Sequence, residues 1–223
     1  MKKNYFISAS IVTLILLFSF QNTKAQCYRK GSLLISITEG STFANYKTSD
    51  ISELKPKVVH KSFMMGDRDP LILEYAVSNR WGIGFSSGAD IFRVNSNSFY
   101  GFSSGDQPLK ITTSEFTFDV NYHVFVNKKL DLSIFTSAGA FSIAFKGNNN
   151  DMSYNHTSTG TLIRYGTRAR YYFCKRLGAI GMISSFAANS SPKDVKGNTE
   201  AKNYSTSING MAIEMGLCFR ILR

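Results

Sequence analysis

The stretch that decides the fold is MAIEMGLCFRI, Met211 to Ile221. Met211, Ile213, Met215, Leu217, Phe219 and Ile221 are apolar, and Ala212, Glu214, Gly216, Cys218 and Arg220 between them are small or polar. A repeat of two is the period of a β-strand with two unlike faces. The alternation runs almost to the last residue of the chain.

The opposite end carries an export signature. Lys2 and Lys3 form a basic start, Ile11 to Phe20 is almost wholly apolar, and Thr23-Lys24-Ala25 offers small residues where a signal peptidase reads. This predicts a signal peptide over residues 1–25, removed after Ala25, and one domain over 26–223. The apolar run is shorter than the roughly 20 residues of a spanning helix. Gln26 and Lys24 stand where a lipidation signal at Cys27 would need a small residue and Leu. Losing Lys2, Lys3 and Lys24 takes the net charge from +11 to +8. On an exported chain that charge points to lipopolysaccharide phosphates and other anionic surface groups, not to nucleic acid. The three cysteines, Cys27, Cys174 and Cys218, are too few and too dispersed for a disulfide scaffold. They form no metal-like cluster with the three histidines, and no cofactor is expected.

Working back from Met211, eight strand candidates emerge: 31–46, 71–78, 80–94, 113–126, 130–145, 160–174, 177–188 and 205–222. The fourth sets Phe116, Phe118, Val120, Tyr122 and Val124 against Thr117, Asp119, Asn121 and His123. In the fifth, a Leu130, Leu132, Ile134 set gives way to Phe141, Ile143 and Phe145 on the other parity, which predicts a bulge near Ser137–Gly139. Connections alternate in length. Tight turns fall at Ser78-Asn79-Arg80, Asn127-Lys128-Lys129 and Lys175-Arg176, and long polar stretches at 47–70, 95–112, 146–159 and 189–204. Trp81, Tyr122, Phe125, Tyr171, Tyr172 and Phe173 gather near the tight turns, like an interfacial girdle. Export, alternation and unequal connections predict an all-β, eight-stranded, antiparallel up-and-down transmembrane β-barrel. Phe116, Phe118, Val120, Ile213, Met215 and Leu217 would then face outward, and Asp119, Glu214, Arg164 and Arg168 inward. A soluble lipocalin-like barrel binding an apolar ligand is the alternative, with its apolar face inside.

The chain resembles the small outer-membrane β-barrel domain family of Gram-negative bacteria, the OmpA/OmpX-like class. The resemblance rests on Lys24-Ala25-Gln26, on EYAVSNRWGIG at Glu74–Gly84 and on GLCFRIL at Gly216–Leu222. It implies a porin-like barrel in the outer membrane, monomeric, embedded in outer-membrane lipid and lipopolysaccharide. No motif in it is diagnostic of an activity.

Two constellations could carry chemistry. Arg164, Arg168 and Arg170 share the inward parity of one strand, and Glu74, Asp119, Asp131 and Glu214 the inward parity of four others. Eight strands leave an interior that side chains just fill, so Arg–carboxylate pairs bracing the barrel are expected rather than an ion path. His156 and Ser158, with Asp151 nearby, resemble the His-x-Ser of outer-membrane lipid A deacylases, and an outer-leaflet hydrolase is the second functional alternative. His123 is expected as a hydrogen-bonded interior residue. His60, among Lys55, Lys57 and Lys61, lies on a loop suited to lipopolysaccharide phosphate. Cys27 and Cys218 fall toward the same end of neighbouring strands and form a candidate bridge. The leading expectation is a non-enzymatic barrel with a structural or surface-interaction role carried by four extracellular loops, which would meet any extracellular protein or surface ligand.

Overall fold

A computed structural model of the chain describes residues 28–50, 57–94, 109–149, 152–196 and 204–221. The expected signal segment, 1–25, and Cys27 lie outside these residues. Nine strands follow in chain order: β1 (Leu33–Asp50), β2 (Lys57–Arg68), β3 (Leu71–Ala76), β4 (Trp81–Val94), β5 (Leu109–Val126), β6 (Leu130–Asn149), β7 (Met152–Tyr172), β8 (Leu177–Lys196) and β9 (Tyr204–Arg220). β2 and β3 are two parts of one stave, since both pair with β1 on one side and β4 on the other. The break falls at Asp69-Pro70, where proline has no N–H to give a ladder. β9 closes the ring on β1, from Leu34↔Arg220 to Asp50↔Tyr204. Eight staves, each antiparallel to its neighbours, form the up-and-down barrel that the alternation predicts.

The tight turns lie where the sequence places them, each held by local hydrogen bonds. Ser78 Oγ accepts from the Arg80 and Trp81 amides at 3.1 and 2.9 Å. Asn127 Oδ1 accepts from the Lys129 and Leu130 amides at 2.8 and 2.7 Å, the short-range bonding that suits Asn to turns. Gly31, the one described residue with a positive φ (82°), turns the N-terminal segment so that its amide donates to Ala76 O at 2.8 Å. That turn carries Tyr28 into the barrel mouth, where it is buried.

Facing follows parity along every strand. Phe116 (56 % exposed), Phe118, Ile213 and Met215 (70 %) point out, with Val120 and Leu217 half-buried on the same side. Asp119, Glu214, Arg164 and Arg168 point in and are buried. An apolar outside and a charged inside exclude the lipocalin-like alternative.

Beyond about ten residues from the tight turns, the polarity of the two faces reverses while parity does not. Outward positions become Asn45, Ser114, Thr159, Thr161, Asn189 and Asn209, all exposed. Inward positions become Ala44, Met64, Phe92, Ile111, Phe141, Ile143, Leu162, Phe186, Ala188 and Ile208, which with Tyr46 pack into one cluster. At the strand tilt of roughly 40° usual for barrels, ten residues rise about 25 Å. The barrel is therefore inside-out over one zone, with apolar side chains outside and charges inside. Over the next zone it is ordinary, polar outside and apolar within. On β1, β2 and the bend after β2 the edge between zones carries exposed Glu39, Asp67 and Asp69, and Phe63 and Met65 remain as exposed apolar side chains above it.

This reversal corrects three expectations. β6 has no bulge at Ser137–Gly139: Asp131, Ser133, Phe135, Ser137, Phe141 and Ile143 all face in on one parity, and the β6–β7 register is unbroken. The apolar set changes sides because the surroundings change, not because the strand slips. The register shifts instead at Thr48/Ser49 in β1, at Thr157/Ser158 in β7 and between His123 and Phe125 in β5, where Val124 and Phe125 are both exposed. Three of the four long polar stretches, 47–70, 146–159 and 189–204, are largely sheet, and of the fourth, 95–112, only 109–112 lie among the described residues. Residues 47–50, 57–68, 109–112, 146–149, 152–159 and 189–196 all lie in strands. Their composition reads as loop, but the described Lys47, Lys61, Lys110, Thr159 and Asn189 form the exposed face of a sheet. Tyr172, placed in the girdle by sequence, is buried inside with Ile180 and Cys218. Trp81, Phe125 and Tyr171 do lie outside near the turns, Trp81 against Tyr122 at 4.9 Å and Tyr171 against Phe173 at 5.8 Å between ring centroids.

Candidate functional site

The inside-out zone encloses four guanidiniums and six carboxylates, all buried: Arg68, Arg164, Arg168 and Arg170 with Glu74, Asp90, Glu115, Asp119, Asp131 and Glu214. They lie in three tiers along the barrel axis.

Nearest the tight turns, Arg170 donates to Glu74 Oε2 at 2.5 Å and to Asp131 Oδ2 at 3.1 Å. His123 sits between the same carboxylates, Nδ1 2.6 Å from Asp131 Oδ1 and Nε2 2.8 Å from Glu74 Oε1. Only an imidazolium can donate to both. The Tyr28 ring stacks on His123, with centroids 3.5 Å apart. This tier needs Gly82 on β4: a Cβ there would meet Glu74 Oε1 and stand 2.8 Å from the Tyr28 hydroxyl.

In the middle tier, Arg168 donates to Asp119 Oδ2 at 2.8 Å and Asn121 Oδ1 at 2.6 Å, and its guanidinium lies 3.9 Å from the Phe135 ring centroid. Ser86 and Thr117 each donate to Asp119 Oδ1 at 3.1 Å.

At the edge between zones, Arg68 reaches three carboxylates: Glu214 and Asp90 at 3.0 Å, and Glu115. Arg164 donates to the other Glu115 oxygen at 2.8 Å and to Ser184 at 3.0 Å. Thr38 donates to Glu214 at 3.0 Å, and Thr42 and Thr113 to Asp90 at 2.6 and 2.9 Å. The apolar cluster caps this tier. With each of these charged groups paired, the lumen braces opposite strands.

All seven charged residues singled out from sequence, Arg164, Arg168, Arg170, Glu74, Asp119, Asp131 and Glu214, lie in this lumen. Sequence reasoning missed Arg68, Asp90 and Glu115. Asp90 shares the parity of Gly82, Gly84 and Ser86, and Glu115 that of Thr117 and Asp119, so parity could have found both. Arg68 stood in a stretch read as loop, and Glu214 consequently pairs with a residue that the alternation did not offer.

The His156/Ser158 pair lies on β7, not on a loop. Ser158 is buried on the inward side, opposite Ile143 and Pro192; the His156 side chain and Asp151 lie outside the described residues. His60 is on β2 opposite Thr48, and its side chain and Lys55 also lie outside them. Cys218 is a buried free thiol whose Sγ donates to Ala179 O at 3.7 Å, and Cys174 is likewise free. Cys27, the other half of the candidate bridge, lies outside the described residues.

No protein-family model matches the chain, and no curated protein matches it. Solved structures do. The outer membrane protein OprG from Pseudomonas aeruginosa superposes with a TM-score of 0.54 at 12 % identity, over 88 % of this chain and 99 % of OprG. The outer membrane protein AlkL, determined by solid-state NMR in DMPC bilayers, superposes at 0.50 and 12 % identity, over 90 % of this chain and 95 % of AlkL. The fold is that of small outer-membrane β-barrels.

Proposed function

We propose that the protein resides in the outer membrane, spans it with the inside-out zone, and acts without enzymatic chemistry as a sealed barrel that carries a projecting sheet to the cell surface. The observation that carries this reading is the reversal of polarity. An apolar outer band about 25 Å tall with a polar interior matches the band of outer-membrane barrels. The same strands then continue as a water-soluble barrel with an apolar core. The long strands hold that projection rigidly, so the surface role rests on sheet faces as well as on the connections at 51–56, 95–108, 150–151 and 197–203. Ion pairs across every tier support sealing over conduction. The alternative as an outer-leaflet hydrolase draws no support from a Ser158 enclosed on the inward side.

Expression of the full chain followed by fractionation tests the residence: the expected result is folded protein in outer-membrane fractions that migrates faster in SDS before boiling than after. Planar-bilayer recording tests the seal, with no sustained conductance expected. Recovery in the soluble periplasm would sink the first part, and steady open-channel current the second.

A further inference from the structure

On the outside of the projecting zone, basic residues recur at one height. Lys47 lies six residues beyond Ser41 on β1, Lys61 six beyond Asp67 on β2, and Lys110 six beyond Phe116 on β5. Each starting residue lies at the edge of the apolar belt, so these positions stand about 15 Å above it. They also meet across the ladders. Lys47 is directly opposite Lys61, and Lys110 is directly opposite both Lys146 and Arg93. Lys47, Lys61 and Lys110 are exposed, and no described carboxylate forms an ion pair with any of the three. Like charges directly opposite in a sheet destabilise it, and an anion bound between them offsets that cost.

Around Lys47 and Lys61 the surface is a cleft of about 500 Å³, lined also by Asn45, Phe63, Ser207 and Asn209. Ammonium groups suit a phosphate. Amides and hydroxyls suit sugar hydroxyls, and an aromatic ring suits the face of a pyranose. The cleft opens sideways, from the flank of the barrel and not from its top. A ligand seated there stands beside the barrel, as a molecule anchored in the surrounding leaflet would.

We propose that Lys47 and Lys61, with Asn45, Ser207 and Asn209, bind the phosphorylated saccharide of an outer-leaflet glycolipid, lipopolysaccharide, and that Lys110 continues this basic collar. The inference rests on outer-membrane residence, which the fractionation above tests separately.

The test uses full-length protein folded in nanodiscs and titrated with purified lipopolysaccharide, either intact or dephosphorylated in its core. K47Q/K61Q should weaken binding of the intact glycolipid about tenfold or more, a loss of about 1.4 kcal/mol for each factor of ten, and should reduce its salt dependence. K128Q/K129Q, which removes the same charge at the tight-turn end, should bind as the parent does. Dephosphorylated lipopolysaccharide should bind the parent no better than it binds K47Q/K61Q. Equal binding by both double variants would overturn the proposal. So would parent protein that holds the soluble core oligosaccharide, or inorganic phosphate, as tightly as the membrane-anchored molecule, because the site would then serve a free anion. Protein found in the outer membrane yet indifferent to K47Q/K61Q refutes this inference alone.

Discussion

Arg170 shows what a single buried charge does here. It is fully enclosed and is the guanidinium partner of both Glu74 and Asp131. Removing one member of a buried ion cluster strands the others, at a cost of about 3–5 kcal/mol. Arg170→Met should therefore lower the unfolding free energy of the barrel by that amount, read as a lower urea midpoint at unchanged slope. Replacing Arg170, Glu74 and Asp131 together by apolar residues of similar volume should recover much of the loss. An Arg170→Met barrel as stable as the parent would show that the tier is slack. Cys218 gives a second residue-scale test. Its thiol is buried beside Tyr172 and Ile180, so it should resist maleimide in the folded protein and react once the barrel is boiled in detergent. Modification in the native state would contradict its placement.

At the scale of one strand, β5 displays both zones and a sharp contrast. Val120 and Ser114 share the outward parity, but Val120 lies within the apolar belt and Ser114 beyond its edge. Val120→Lys should cost about 2–4 kcal/mol in a bilayer, whereas Ser114→Lys should stay within about 0.5 kcal/mol of the parent. Equal penalties measured by equilibrium unfolding into lipid would remove the edge from between them. The same contrast explains what could be read from sequence. In β5 and β9 an apolar outer face alternates with polar residues in plain sight, so the barrel, its facing and its salt-bridged interior were legible. In β6 and β7 the apolar residues cross from one parity to the other beyond Gly139 and Ile163, and a period-2 reading takes that as a slip or as loop. Only knowledge of where water replaces lipid turns Ile143 and Leu162 into inward residues. Arg68 was hidden for another reason: Pro70 ends a ladder locally, and the pairing of β2 and β3 with the same two neighbours is visible only in three dimensions.

For the molecule as a whole, accessibility should follow a single plane. With Cys27, Cys174 and Cys218 replaced, single cysteines at Thr159, Thr161 or Asn189 should label with a membrane-impermeant reagent on intact cells, while cysteines at Ile163, Tyr165 or Ile183 should stay silent. Labelling at Ile163 equal to that at Thr159 would place the edge elsewhere. The cap of Met64, Phe92, Ile111, Phe141, Ile143, Phe186 and Ile208 has a thermal consequence. Its cohesion comes from excluding water, a force that fades on cooling and in urea and that carries a large heat capacity. In the membrane residence proposed above, the belt below gains nothing from that force, because its outer side chains stay among acyl chains, and its cohesion lies in ladders and shielded ion pairs. The two zones should therefore soften along different routes. Amides of residues beyond the belt edge should begin to exchange with deuterium in the cold or at moderate urea while those from Leu130 to Phe135 remain protected. On the proposed reading, the upper barrel then loosens and re-forms without disturbing the ion-paired tiers beneath it.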